Sequence, residues 1–174
     1  MRIRPYISFT DFDIIKNWIR DERTHAMWCA NLIKYPLERD NFEKALSEAA
    51  VRFGDSAYVA TTDSGKVIGF FCYSLDLHTN EGMLKFVMVD SEIRGRGAGK
   101  EMVGLALKYA FELTKAEAVQ LNVFSENISA KKCYLSAGFS ERSTTENAFS
   151  FRNESWGRCN MVSRMGCTGY TFQM

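Results

Sequence analysis

The sequence is short of several things, and each shortage narrows what it can be. It has almost no charge imbalance, with 22 basic against 21 acidic residues, so no whole-molecule field gathers nucleic acid or presses the chain onto an anionic membrane. No uncharged apolar run approaches the ~20 residues that span a bilayer, and Met1–Pro5 has no apolar segment of a secretory leader. Five cysteines, odd in number and without CxxC or Cys/His metal spacing, argue against a disulfide framework or a zinc site. The expectation is a reducing cytoplasm, no metal, no nucleic acid and no membrane partner. Repeats, low-complexity blocks and Pro/Gly/Ser linkers are absent, and only Pro5 and Pro36 occur. With 46% hydrophobic and 25% charged residues, the chain can bury a core as one domain, expected over residues 1–166, with 167–174 as a mobile tail.

The patterning reads as β, α, α, β, β, β, α, β, α, β, β. Ile3–Ile7 suits a first strand, followed by a helix capped at Thr10 or Asp11 and another near Leu37–Val51. Ala57–Thr61 and Lys66–Leu77 are joined through Asp63-Ser64-Gly65, a hairpin signal, and Met83–Val89 follows. Ala98–Thr114 places Val103, Ala106, Leu107 and Ala110 on one helical face. Val119, Leu121 and Val123 alternate as a strand, Ile128–Ala137 is a helix stopped by Gly138, and Asn160–Met165 closes the order.

The richest segment is Arg94-Gly95-Arg96-Gly97-Ala98-Gly99-Lys100, between a strand and a helix. The first turn of a helix offers unpaired N–H groups and partial positive charge, and glycines let a diphosphate reach them. Arg94, Arg96 and Lys100 can add charge-assisted contacts. The competing reading is a solvated glycine turn. A P-loop fails, because Arg94 stands where glycine is needed and Glu101 where Ser or Thr would hold magnesium; a dinucleotide fingerprint fails at Lys100 or Met102. Downstream, Asn127, Ala130 and Tyr134 are spaced to line one face of a helix. Taken singly, Asn127 would be an N-cap, Ala130 packing and Tyr134 a boundary tyrosine. Cys133 falls on a different face and is expected to be buried rather than nucleophilic.

Together these residues resemble the GNAT N-acetyltransferases. Arg94, Gly97 and Gly99 match Arg/Gln-x-x-Gly-x-Gly/Ala, and Asn127, Ala130, Tyr134, Gly138 and Phe139 match Asn-x-x-Ala-x-x-x-Tyr-x-x-x-Gly-Phe. The region of Trp18 and Trp28 also resembles the branch holding ribosomal-protein and aminoglycoside acetyltransferases. The resemblance implies an α/β (α+β) single-domain fold, a mixed sheet of about seven strands with flanking helices and with strands four and five splayed. It implies acetyl-CoA as co-substrate, a primary amine as acceptor and, as is common in the family, a homodimer. It assigns Val87 and Val89 to the pantetheine arm, an N–H of Met88 or Val89 to the thioester carbonyl, Gly95 to Lys100 with Arg94 to the pyrophosphate, and Tyr134 to the leaving thiolate.

Where some members carry a strand-four glutamate as base, this chain has Met83; Glu81 shares its strand face and is the alternative, through water. The acceptor would enter between Trp18–Tyr35 and the connection Ser143–Trp156, whose Trp28, Tyr35, Phe149, Phe151, Trp156, Glu146 and Glu154 suit a cationic amine or belong to the core. A non-catalytic module that binds acyl-CoA or a partner is the second reading.

Overall fold

A computed structural model describes residues 1–166; the expected tail, 167–174, lies outside the described residues. The chain folds as β1 (Arg2–Pro5), α1 (Ser8–Ile15), α2 (Glu22–Cys29), α3 (Arg39–Phe53), β2 (Ser56–Thr61), β3 (Val67–Asp76), β4 (Glu81–Val89), α4 (Ala98–Lys108), β5 (Ala118–Phe124), α5 (Ile128–Ser136), β6 (Ser140–Phe151) and β7 (Glu154–Arg164). One seven-stranded sheet runs β1-β2-β3-β4-β5-β7-β6. Its neighbours are antiparallel except β4 and β5, which are parallel.

Helices cover both faces. β3 reads as a continuous apolar run because it is buried twice: Phe71 and Tyr73 pack with α4, whereas Phe70 and Cys72 pack with Phe12, Ile15 and Phe42 from α1 and α3. The helical face of Val103, Ala106 and Leu107 is buried as its spacing requires, and α4 runs on into a π-helical turn at Tyr109–Leu113.

Three expectations are corrected. Three helices, not two, precede β2, since α2 is only eight residues long; Asp21 caps it by accepting from Thr24 N–H, and Ala30 ends it at φ +52°. The first helix begins after Ile7, not at Thr10 or Asp11. Asp11 acts from inside it, accepting from Ile7 N–H at 2.8 Å while paired with Arg4 at 2.7 Å, which explains a carboxylate that is 1% exposed. Residues expected as a connection form most of the β6–β7 hairpin, which turns only at Arg152-Asn153.

Candidate active site

The site starts from a defect in β4. Phe70 pairs with Met88 and Cys72 with Lys85, so two β4 residues oppose Phe71 alone. This is a bulge, and Phe86 takes φ +52° to make it. The inserted residue puts Lys85 and Phe86 on the side of α3, while Leu84 and Val87 both pack on the α4 side. Pairing of β4 with β5 stops at Leu84 and Leu121, and the strands diverge beyond it.

Divergence frees one edge of β4. Asp90 N–H donates to the Ile68 carbonyl, so the antiparallel alternation turns the groups of Met88 onto Phe70 of β3 and those of Val87 and Val89 toward the gap. Met88 N–H is thereby committed inside the sheet, and Val89 is left of the two donors named from the sequence. Arg94 Nε donates to the Val89 carbonyl at 3.2 Å.

The glycine turn closes one end of the gap. Gly95 at φ +78° and Gly97 at φ +85° occupy left-handed backbone, the second as N-cap of α4 with no side-chain cap. The first helical bond is Glu101 N–H to Gly97 carbonyl, so Ala98, Gly99 and Lys100 N–H groups face outward unpaired by the helix. A Cβ on Gly99 would stand 3.1 Å from Cys133 Sγ; glycine there lets α4 meet α5.

A cleft of about 1530 Å³ runs from this turn through the gap to the face of α2 and α3. That exceeds the ~300–1,000 Å³ of a single small-ligand pocket and leaves room for two substrates. Val87, Met88, Val89, Arg94, Gly95, Gly97, Gly99 and Lys100 line it; Arg96 and Ala98 do not. Asn127, Ala130 and Tyr134 line it as their spacing predicts, and Asn127 is also the N-cap of α5, accepting from Ala130 N–H at 3.2 Å. Capping the helix and lining the cleft thus coexist at Asn127. Cys133 departs from expectation: it is half-buried and lines the same cleft, against Gly99, with burial pushing its thiol pKa up. Tyr134 is 7% exposed, and burial raises its phenol above the ordinary value.

On the far side, Met83 and Glu81 line the cleft. Glu81 is occupied: its oxygens accept from Arg142 at 3.0 and 3.1 Å and from Gln120 at 2.9 Å. Of the aromatics named for the acceptor, Trp28 lines the cleft, and its Nε1 is buried without a partner among the described residues. Phe149 and Phe151 instead stack on Trp156, which meets Phe124 edge-on, in a small core with Ala26, and Glu154 is spent on Arg23 and Trp156 Nε1. Sequence reasoning missed Asn122, Arg158, Asp55 and Lys85, all in the wall, because only strand register brings them together. Among the described residues no metal-binding group of three or more His, Cys, Asp or Glu occurs, and no helix is long and apolar enough to cross a membrane.

Comparison with known proteins agrees with this geometry. A 5-NmdU N-acetyltransferase of Pseudomonas phage PaMx11 is 27% identical over 126 residues, 72% of this chain and 86% of its own. A spermine/spermidine N(1)-acetyltransferase of Bacillus subtilis strain 168 is 30% identical over 81 residues, 43% of this chain and 53% of the relative. The spermidine N-acetyltransferase of Vibrio cholerae, solved with CoA and spermine, superposes with a TM-score of 0.78 at 17% identity over 94% of both chains, a likeness of fold. The model of the acetyltransferase (GNAT) family matches residues 13–139, from α1 through the glycine turn to the end of α5, and the chain belongs to that family.

Proposed function

We propose that the chain moves the acetyl group of acetyl-CoA onto a primary amine by direct attack within a ternary complex. The observation that carries this is the free edge of β4 beside an uncapped helix N-terminus: one suits an extended amide-bearing arm, the other a diphosphate. In this reading Val87 and Val89 hold the pantetheine arm, and the outward N–H groups of the α4 first turn, with Gly95, Gly97 and Arg94, hold the pyrophosphate; Arg96, off the cleft wall, is left out of that set. Val89 N–H polarises the thioester carbonyl as the amine attacks. Arg94 must then release the Val89 carbonyl when the arm binds.

The carbonyl carbon gains the C–N bond as the C–S bond breaks, and the electron pair leaves on sulfur. Tyr134, its pKa raised by burial, remains a phenol and stabilises that thiolate by donating a hydrogen bond rather than giving up its proton outright. Glu81 has its oxygens engaged, so we assign it the positioning of Arg142 and Gln120; the amine sheds its proton to water at the open mouth.

A non-catalytic acyl-CoA module is not favoured, since Tyr134 lines the cleft beyond what binding alone requires. A cytoplasmic location fits the thiols of Cys29, Cys72, Cys133 and Cys159, which are free among the described residues. A homodimer, common in the family, is checked by sedimentation. The primary test is thermal: a native-state ligand stabilises by about 2.7 kcal/mol at a hundredfold over its Kd. Acetyl-CoA should raise Tm and ATP with magnesium or NAD should not, and an amine should then release CoA. Stabilisation by ATP instead would sink the assignment.

A further inference from the structure

The sheet face between α3 and α2 carries a polar floor whose hydrogen-bond directions can be deduced. Asn122 lies opposite Asn160, Phe124 opposite Arg158 and Gln120 opposite Met83, so these side chains share one face. Arg142 can only donate. Its Nη2 donates to Gln120 Oε1 at 2.7 Å and its Nε to Asn160 Oδ1 at 2.7 Å, which identifies both acceptors as carbonyl oxygens. Gln120 Nε2 therefore donates to Glu81, and Asn160 Nδ2, which can only donate, meets the oxygens of Asn122 at 3.0 Å, Gln120 at 3.1 Å and Leu121 at 3.3 Å, so the Asn122 atom facing it is Oδ1. With its oxygen turned inward, Asn122 presents Nδ2, two N–H donors, to the cleft.

Its place is as telling as its orientation. β4 and β5 part after Leu121, so Asn122 is the first β5 residue beyond the vertex, beside the point where a thioester threaded through the gap meets the acceptor. Arg158 lies near it on the same face, exposed, and without an ion pair among the described residues. The acceptor half of the lining balances four basic against four acidic side chains, and its floor carboxylates are spent, Asp55 on Lys85 at 2.7 Å and Glu81 on Arg142. A polycation would meet outward N–H donors and no net negative field.

We infer that the acceptor is a monoamine whose scaffold carries hydrogen-bond-accepting oxygens close to the amine, held by Asn122 Nδ2 and the Arg158 guanidinium, and not a polyamine. This rests on the acetyltransferase reading. Both a pyrimidine bearing an aminoalkyl group and an amino-acid amide have that chemistry, and the near-neutral chain suits a small molecule of either kind better than a nucleic-acid strand.

The test compares 5-aminomethyl-2′-deoxyuridine, glycinamide and spermidine, each as an acceptor with acetyl-CoA and as a ligand of the enzyme–CoA complex, which needs no turnover. The oxygen-bearing amines should exceed spermidine at least tenfold in kcat/KM and in affinity, the preferred one of the two telling which carbonyl is read. Asn122→Asp turns the donor into an acceptor at constant shape and should reverse the preference; Arg158→Gln should weaken the oxygen-bearing amines alone. Neither should alter acetyl-CoA affinity. Preference for spermidine, or an Asn122→Asp variant with unchanged ratios, overturns the inference while leaving acetyl transfer intact. Selective binding of the oxygen-bearing amines without CoA release would uphold their recognition by Asn122 and Arg158 but remove acetyl transfer, and with it their role as acceptors.

Discussion

At the coenzyme end of the cleft the groups aimed inward belong largely to the backbone: the open edge at Val87 and Val89, and the N–H groups of the α4 first turn. At the acceptor end they are side chains, drawn from α2, α3 and strands β3, β4, β5 and β7. A backbone site needs only the right conformation, and conformation is written locally, in glycines at positive φ and a bulge at Phe86. A side-chain site needs distant residues in register, so its specificity can change one residue at a time without disturbing the fold. The difference predicts that substitutions at the first end alter coenzyme affinity or turnover for every amine, whereas those at the second end redistribute preference among amines.

Tyr134→Phe should break the comparison most visibly, because it is the one side chain at the coenzyme end assigned to chemistry. Turnover should fall on the order of 10²-fold for every amine, with acetyl-CoA affinity unchanged by calorimetry. Since burial raises the phenol's pKa, the wild-type rate should show no loss at alkaline pH from Tyr134 ionising near its ordinary value of about 10. Unchanged turnover in the variant would remove Tyr134 from the mechanism.

Gly97→Val tests the backbone claim. The N-cap sits at φ +85°, where a β-branched residue is strained, although the space beside it is open. Acetyl-CoA affinity should drop about tenfold, corresponding to roughly 1.4 kcal/mol of distortion at the turn. The fall should be equal for all amines. An amine-dependent effect would mean that the turn also shapes the acceptor end.

The same division explains what could be read from the sequence. Each of the two motifs is short and local, so the family pattern could be read directly, and Arg94, Gly97, Gly99, Asn127, Ala130 and Tyr134 all line the cleft. The helix α2 was missed because little of its stability is its own: Arg23 pairs with Glu154, Glu22 with Arg152, and Ala26 packs on Phe124 and Trp156. Two closing strands were expected, but Ser143–Trp156 was read as their connection because β6 is exposed along most of its length and shows no apolar alternation. Asn122 and Arg158 lie 36 residues apart, and only the pairing of β5 with β7 makes them neighbours.

Acid should loosen the acceptor end selectively. His25 on α2 is fully buried, and burial lowers its pKa below the ordinary 6.5, with Glu22 and Asn31 opposing. The unfolded chain therefore takes up a proton near pH 6.5 that the folded chain refuses. The stabilisation is present above that pH and is lost as pH falls, by at most about 1.4 kcal/mol per unit. Between pH 7 and 5, hydrogen exchange in α2 should speed up relative to α4, and His25→Gln should flatten that difference. Equal acceleration in both helices would mean His25 does not govern the seat of α2.

Glu81→Gln should have the smallest effect and sharpens the comparison most finely. A general base lost from the reaction costs about 10²-fold or more in kcat. A residue that only orients Arg142 and Gln120 should cost less than about threefold in kcat, because glutamine keeps one carbonyl oxygen to accept from Arg142. What should change is the acceptor KM: with Arg142 less firmly held, the amides of Gln120, Asn160 and Asn122 are free to flip, and the outward donor at Asn122 becomes a mixture. Initial rates against amine concentration at saturating acetyl-CoA separate the outcomes. A collapse of kcat would restore Glu81 as the proton acceptor and carry catalysis into the acceptor end; a rise in KM alone keeps that end a matter of recognition.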